Sequence, residues 1–330
     1  MFDFSLPDLS WRDAYLPKKS GGVRHIKIPN DDLKLCQGHI LQYLYELHRE
    51  KKIQISSFAH GFVPWRNCAT SIVKHSLESP VFLCMDVKDF FDNFPVPPVK
   101  KKLLDAGLSE LLVDKIITAC TCDGSFPQGS PVSPFLTNIG MLDVDLMISA
   151  YAKRHGFVYT RYADDITLSL NPCVAVRKKY KKKKNPDDPD VLDPNPYRDI
   201  FYGVETILKT HLGLELKHKK DHIIFRGSRS KPVILGICIR QDGAGYSADK
   251  KLRNNTRAAV FNLSKKIRSQ RGVVQPEDYK KWMEILGTVQ YMDYIRSFSP
   301  QEHAANADPV IQERHWNYLV NKFKKGAANA

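Results

Sequence analysis

Hydrophobic and polar positions alternate most strictly in FVYTRYADDITLSL, residues 157–170. Phe157, Tyr159 and Arg161 share one parity, and Ile166, Leu168 and Leu170 share one beyond the centre, which predicts two strands joined by a tight turn. Asp164 and Asp165 then sit at the hairpin tip. A turn tolerates aspartate, which accounts for one of them and leaves the other without a reason. VFLCMDV, residues 81–87, is a short apolar run carrying a carboxylate, Asp86, near its end, the pattern of a buried central strand. PKKSGGVRHIKIP, residues 17–29, predicts a second hairpin, turning at Gly21-Gly22 into an alternating strand that holds Arg24 and Lys27.

Between these strands the period changes to that of helices. Leu33, Leu35, Ile40, Leu41, Leu44 and Leu47 recur at helical spacing, with Asp31 or Asp32 as the cap. KDFFDNFPVPPVKKKLLDAG turns through prolines into a helix, and SELLVDKIITACTC predicts another that stops near Gly124. PQGSPVSPFLTN opens as a loop and becomes one long helix from about Pro134. A helix near 197–211 and a strand-like pair, LELKHKKDHIIF and KPVILGICIR, follow. The remainder is mostly helical, with Leu252, Thr256, Ala259, Leu263 and Ile267 on one stripe and Pro276 opening a further helix. RKKYKKKKNPDDPDVLDPNP, residues 177–196, breaks every pattern and predicts an exposed insertion, its basic run 177–184 either solvated or on phosphates.

Composition changes the picture in one respect. The 330 residues allow two or three packed units, and 50 Lys and Arg against 36 Asp and Glu leave a net charge of +14. That excess favours a polyanionic partner bound through phosphates. The 7 cysteines are scattered, and Cys120 and Cys122 lack the gap of a zinc or redox motif, so reduced thiols in the cytoplasm are expected. MFDFSLPDLSW has no basic leader, and no apolar run of about 18 residues occurs, so neither a signal peptide nor a membrane span is expected.

The three carboxylates supply the missing reason for the paired aspartates. If the strands of Asp86, Asp164 and Asp165 are neighbours, at least two acids converge at one sheet edge. Crowded like charges cannot all stay ionised unless something offsets them. Magnesium does so with hard oxygen ligands, and two such ions suit an in-line phosphoryl transfer.

In their order along the chain, DVKDFF, PQGSPVSPFLTN and YADD resemble the motifs of bacterial reverse transcriptases, the retron-type group above all. PKKSGGVRHIKIP, AHGFVPWRN and LGLELKHKKDHI fall in the family's order too, so the resemblance runs from about residue 17 to 240. It implies an α+β right-hand polymerase: fingers in 1–80, a ferredoxin-like (RRM-like) palm in 81–240 that includes a fingers segment at about 95–135, and a helical thumb in 241–330. Asp86, Asp164 and Asp165 match the metal-binding acids, joined by the Val87 carbonyl, and two magnesium ions are implied. Phe91 matches the aromatic gate that selects deoxynucleotides, and Gln128 and Gly129 match the loop that contacts nucleotide and template. Lys18 and Arg24 match triphosphate-holding residues, and Lys220 matches a proton donor to pyrophosphate.

The activity implied is RNA-directed DNA synthesis from deoxynucleoside triphosphates. A structured non-coding RNA would serve as template and primer, giving an RNA–DNA duplex, with an effector protein and a role against phage as further associations of the group. Three departures stand out: Asp221 where the family usually has Thr, SIVKH keeping only His75 of Asn-Ala-x-x-His, and ILG (234–236) in place of Val-Thr-Gly. They leave a non-retron defence reverse transcriptase open beside a retron. A catalytically silent RNA-binding protein and an RNA-templated RNA polymerase are the rival classes, disfavoured by the three acids and by Phe91 respectively.

Overall fold

The computed structural model describes residues 3–17, 21–174, 197–226, 232–240, 245–299 and 313–327. Lys18 and the insertion 177–196 lie outside the described residues. The chain divides into two compact units, Met1–Ile224 and Phe225–Ala330.

The first unit opens on β1 (Trp11–Pro17), antiparallel to β2 (Val23–Pro29) with Pro17 opposite Val23. β1 is exposed at most positions, so no alternation in its sequence announces it. Helix α1 (Asp31–Arg49) is capped by Asn30, whose side chain accepts the Leu33 N–H at 2.7 Å. Asp31 and Asp32, expected as caps, occupy the first turn instead, where their charge faces the positive end of the helix dipole. Short helices α2 (Cys68–Ile72) and α3 (Phe90–Asn93) precede α4 (Val96–Asp105) and α5 (Glu110–Cys120).

The single long helix expected from Pro134 is two. α6 (Ser133–Gly140) ends where Phe94 and Val99 press on Gly140, and α7 (Leu142–Arg154) restarts beyond Met141. A side chain at 140 would meet Phe94 at 2.8 Å. α8 (Arg198–Leu212) packs against α7.

The central sheet has β3 (Val81–Asp86), β4 (Phe157–Tyr162), β5 (Asp165–Leu170) and β6 (His222–Phe225) in the order β4-β5-β3-β6. With its intervening helices this is the ferredoxin-like order, and the class is α+β as expected. β3 is buried at every residue and pairs antiparallel with β5, Phe82 opposite Ser169 and Asp86 opposite Asp165.

The second unit joins a small antiparallel sheet, β7 (Val233–Ile234), β8 (Ile237–Ile239) and β9 (Tyr246–Ala248), to helices α9 (Lys250–Ser269), α10 (Pro276–Ser297) and α11 (Glu313–Ala327). Thr256, Val260, Leu263 and Ile267 bury one face of α9. Trp282 stacks on Phe323 with centroids 5.0 Å apart and is buried in the core. Tyr291 is 36% exposed because it lies off the α10 face that holds Trp282, Ile285, Val289 and Met292. No helix among the described residues is long and apolar enough to cross a membrane.

Candidate active site

The turn between β4 and β5 is tight: Tyr162 pairs with Asp165, leaving Ala163 and Asp164 to reverse the chain. Ala163 has φ 56°, a left-handed conformation that costs a residue with a Cβ. Asp165 begins β5 directly opposite Asp86, so two like charges stand across adjacent strands, a destabilising pair in isolation. Main-chain bonds fix the two strand tips. Val87 N–H donates to the Asp164 carbonyl at 2.9 Å, and Lys217 N–H donates to the Asp86 carbonyl at 2.8 Å.

These tips open on a cleft of about 880 Å³. Arg24, Asp86, Val87, Phe91, Gln128, Asp164, Asp165 and Lys220 all line it. Gly129 does not. A Cβ there would stand 2.0 Å from the Lys27 carbonyl oxygen, so glycine is what lets β2 approach this loop. Phe90 and Phe94 are buried, whereas Phe91 is half-buried and turned to the cleft.

Lost hydration in the crowded cleft wall, reinforced by Asp164 and Asp86, pushes the Asp165 carboxyl up to about 6 although its side chain still meets solvent. Burial likewise raises Asp164, with Asp86 adding to the rise and Lys220 and Arg24 opposing it. Lys220 donates to the Asp86 carboxylate. Burial pulls the lysine down, but that hydrogen bond and the three carboxylate charges outweigh it and leave Lys220 raised. Lys219 is exposed and does not line the cleft.

The donors at the tips are all oxygens, the ligands of a hard divalent cation. Among the described residues no three His, Cys, Asp or Glu side chains converge closely enough to enclose an ion. The Lys220 ammonium stands beside Asp86, and the oxygen donors at the tips fit magnesium in their chemistry.

Beneath the tips lie residues to which the sequence alone assigned no role in the site. Arg161 and Asp145 are both fully buried and joined by two parallel bonds, Nε to Oδ1 and Nη2 to Oδ2, each 2.8 Å. Arg161 also donates to the Ala163 carbonyl at 3.0 Å, and Tyr159 donates to Asp145 at 2.7 Å. The strained turn therefore rests on a buried ion pair. The signal was present: an arginine on the inward parity of a half-buried strand demands an acid partner. His75, kept where the resembling motif has its histidine, bonds Ser169 at 2.7 Å and Thr160 at 2.8 Å and so laces β4 to β5. Ser71, four residues earlier, donates to the same Thr160 at 3.0 Å. The AHGF segment runs beside β4, with His60 N–H donating to the Arg161 carbonyl and Arg161 N–H to the Phe58 carbonyl, both at 2.8 Å. A Cβ on Gly61 would lie 2.6 Å from Ala163 N, so glycine alone admits the turn.

Lys220 stands on a single 3-10 turn, His218–Lys220. His218 bridges two carboxylates, Asp221 at 2.7 Å through Nδ1 and Glu205 of α8 at 2.9 Å through Nε2. Glu205 also accepts the Leu216 N–H at 3.0 Å. Asp221, the departure from Thr, is thus part of the clamp that holds the lysine turn.

Strand order, paired acids and flanking lysine together define a polymerase palm, and residues 16–184 match the family "Reverse transcriptase (RNA-dependent DNA polymerase)". The chain belongs to that family. It is similar to the Retron Mx162 reverse transcriptase of Myxococcus xanthus, 29% identical over 78% of this chain and 53% of that one. The Retron Ec86 reverse transcriptase of Escherichia coli is 28% identical over 69% of this chain and 62% of that one. The chain spans little more than half the length of these relatives. A foamy viral protease-reverse transcriptase structure overlays with a TM-score of 0.46 and 14% identity, covering 94% of this chain and 42% of that one.

Proposed function

We propose that this chain is an RNA-directed DNA polymerase that copies a structured non-coding RNA into single-stranded DNA, in the cytoplasm and as part of an anti-phage defence system of retron type. The observation that carries the reading is the meeting of Asp86, Asp164 and Asp165 at adjacent strand tips, with Lys220 beside them and a cleft in front. In this reading residues 1–80 with about 95–135 are fingers, 81–240 the palm and 241–330 a thumb that grips duplex phosphates.

Two magnesium ions, held by Asp86, Asp164, Asp165 and the Val87 carbonyl, would supply the positive field that in-line phosphoryl transfer needs. Arg24, with Lys18, draws the triphosphate of a deoxynucleotide into the cleft. The Phe91 ring lies under the sugar and collides with a ribose 2′-hydroxyl. Gln128, on the cleft lining, meets the incoming nucleotide. Lys220 gives a proton to the departing pyrophosphate, help worth roughly 10²–10⁴ in rate. The non-coding RNA, the RNA–DNA duplex and an effector protein are the partners.

The test is to purify the protein from cells carrying its native locus and sequence the nucleic acid that accompanies it, with Asp164→Ala, Asp165→Ala as control. Short single-stranded DNA joined to a defined RNA, present only with the wild type, is expected. DNA without such a junction would move the chain to another class of defence reverse transcriptase. The same RNA in both samples with DNA in neither would leave an RNA-binding protein.

A further inference from the structure

Trp65 is 97% exposed, the extreme among the large hydrophobic side chains of the described residues. Its backbone is as unusual as its surroundings. Arg66 N–H donates to the Val63 carbonyl at 3.1 Å, closing a turn whose second residue is Pro64 and whose third is Trp65 at φ 65°. Proline followed by a positive φ is the pattern of a type II turn, whose third position belongs to glycine or asparagine. Phe62, three residues earlier, repeats the anomaly at φ 57° and is 51% exposed on the cleft wall, 6.2 Å from the Tyr162 ring. Two aromatic side chains thus stand in conformations that disfavour them, and neither gains a buried environment in return.

The loop that carries them is firmly held. Arg66 donates to the Ser56 and Ala59 carbonyls, each at 2.6 Å, and Asn138 donates to the Gly61 carbonyl at 2.8 Å. Asn67 caps α2 in a reciprocal box with Thr70. Val63, between the two rings, is buried. The segment is therefore a rigid mount that presents Phe62 to the cleft and, three residues on, Trp65 to solvent. Strain kept at a rigid, exposed aromatic points to a ligand that uses the ring.

We propose that Trp65, with Phe62, is a stacking platform for unpaired bases of the template strand at the cleft entrance. The proposal rests on the polymerase reading, which requires single-stranded template to reach the acids. A flat ring face accepts any base, as a template reader must, and the phosphates between bases suit the chain's basic excess.

The experiment measures affinity of the full chain for an RNA–DNA duplex carrying a single-stranded template overhang and for the same duplex made blunt. Trp65→Gly should weaken the overhang substrate roughly tenfold and leave the blunt one unchanged. Its melting temperature should hold or rise, since glycine relieves the turn. Trp65→Tyr should keep overhang affinity, and Trp65→Leu should lose it as glycine does. Equal losses on both substrates, or retention by leucine, would overturn stacking in favour of general packing. Unchanged overhang affinity in Trp65→Gly would also overturn it and hand the ring to a protein partner. Primer extension by the wild type on the same oligonucleotides reads the polymerase proposal separately, so either can fail alone.

Discussion

The paired-aspartate hairpin and the lysine turn reach the same cleft on different foundations. Asp164 and Asp165 stand on a strained turn, but that turn is tied through Arg161 to a fully buried Asp145 and laced across by His75. Lys220 stands on one 3-10 turn whose clamp, His218 between Glu205 and Asp221, is partly open to solvent. The carboxylates that repel one another are braced from the core. The lysine charge is held by a surface clamp that water can reach.

The largest effect follows from breaking the brace. Arg161→Met leaves Asp145 buried and unpaired, which should cost about 3–5 kcal/mol of stability in urea unfolding. The double variant Asp145→Leu, Arg161→Met should recover much of that loss, because no uncompensated charge remains. If the single variant unfolds at the wild-type midpoint, the ion pair is not the foundation described.

The next effect depends on pH. Burial holds His75 down to about 3 and His60 down to about 4. The unfolded chain takes up protons on both below about 6.5 while the folded chain refuses them, so stability is present above that pH and is lost as pH falls. Between pH 6.5 and 5 each histidine should contribute a slope of up to about 1.4 kcal/mol per pH unit. His75→Asn should flatten the profile. Asp165, raised to about 6, takes up its proton in the folded chain over the same range and opposes this slope, so the difference between the two profiles is the readout: a His75→Asn profile parallel to the wild type would mean that this imidazole ionises in place.

Third in size is the lysine itself. Lys220→Ala should slow single-turnover nucleotide addition roughly 10²-fold, about 2.7 kcal/mol, with duplex affinity nearly intact. Lys219→Ala should do neither. Reversal of the two would show that the 3-10 turn presents a different lysine to substrate than it presents to Asp86.

Which parts of this arrangement were legible follows from how far apart partners lie in the chain. Asp86, Asp164 and Asp165 could be read because each ends or begins a run whose period names its strand. The hairpin arm β1 could not, since its positions are nearly all exposed. Asp145 sits on α7 among residues that read as an ordinary amphipathic helix, and its burial is decided by Arg161, 16 residues on. His75 was noticed as a motif remnant, yet its partners Thr160 and Ser169 are 85 and 94 residues away, so its bracing role appears only when β4 and β5 pair. The single helix expected after Pro134 failed for the same reason, because Phe94 and Val99 press on Gly140 from another element.

The smallest effect tests the surface clamp directly. Hydrogen bonding to Asp221 first, then to Glu205, raises His218 above an ordinary imidazole, with partial burial opposing. The sign is opposite to that of His75: the protonated clamp is present below the free-imidazole value and is lost as pH rises through the raised one. His218→Gln keeps a side chain that can hydrogen-bond but removes the charge, so nucleotide addition should fall by roughly tenfold, about 1.4 kcal/mol, with no loss of duplex affinity. The wild type should show an alkaline decline in rate that the variant lacks. A variant slowed equally at every pH, with the wild-type decline still present, would make His218 a packing residue of the turn. The core-braced acids and the surface-held lysine would then differ in burial alone and not in the protonation that governs them.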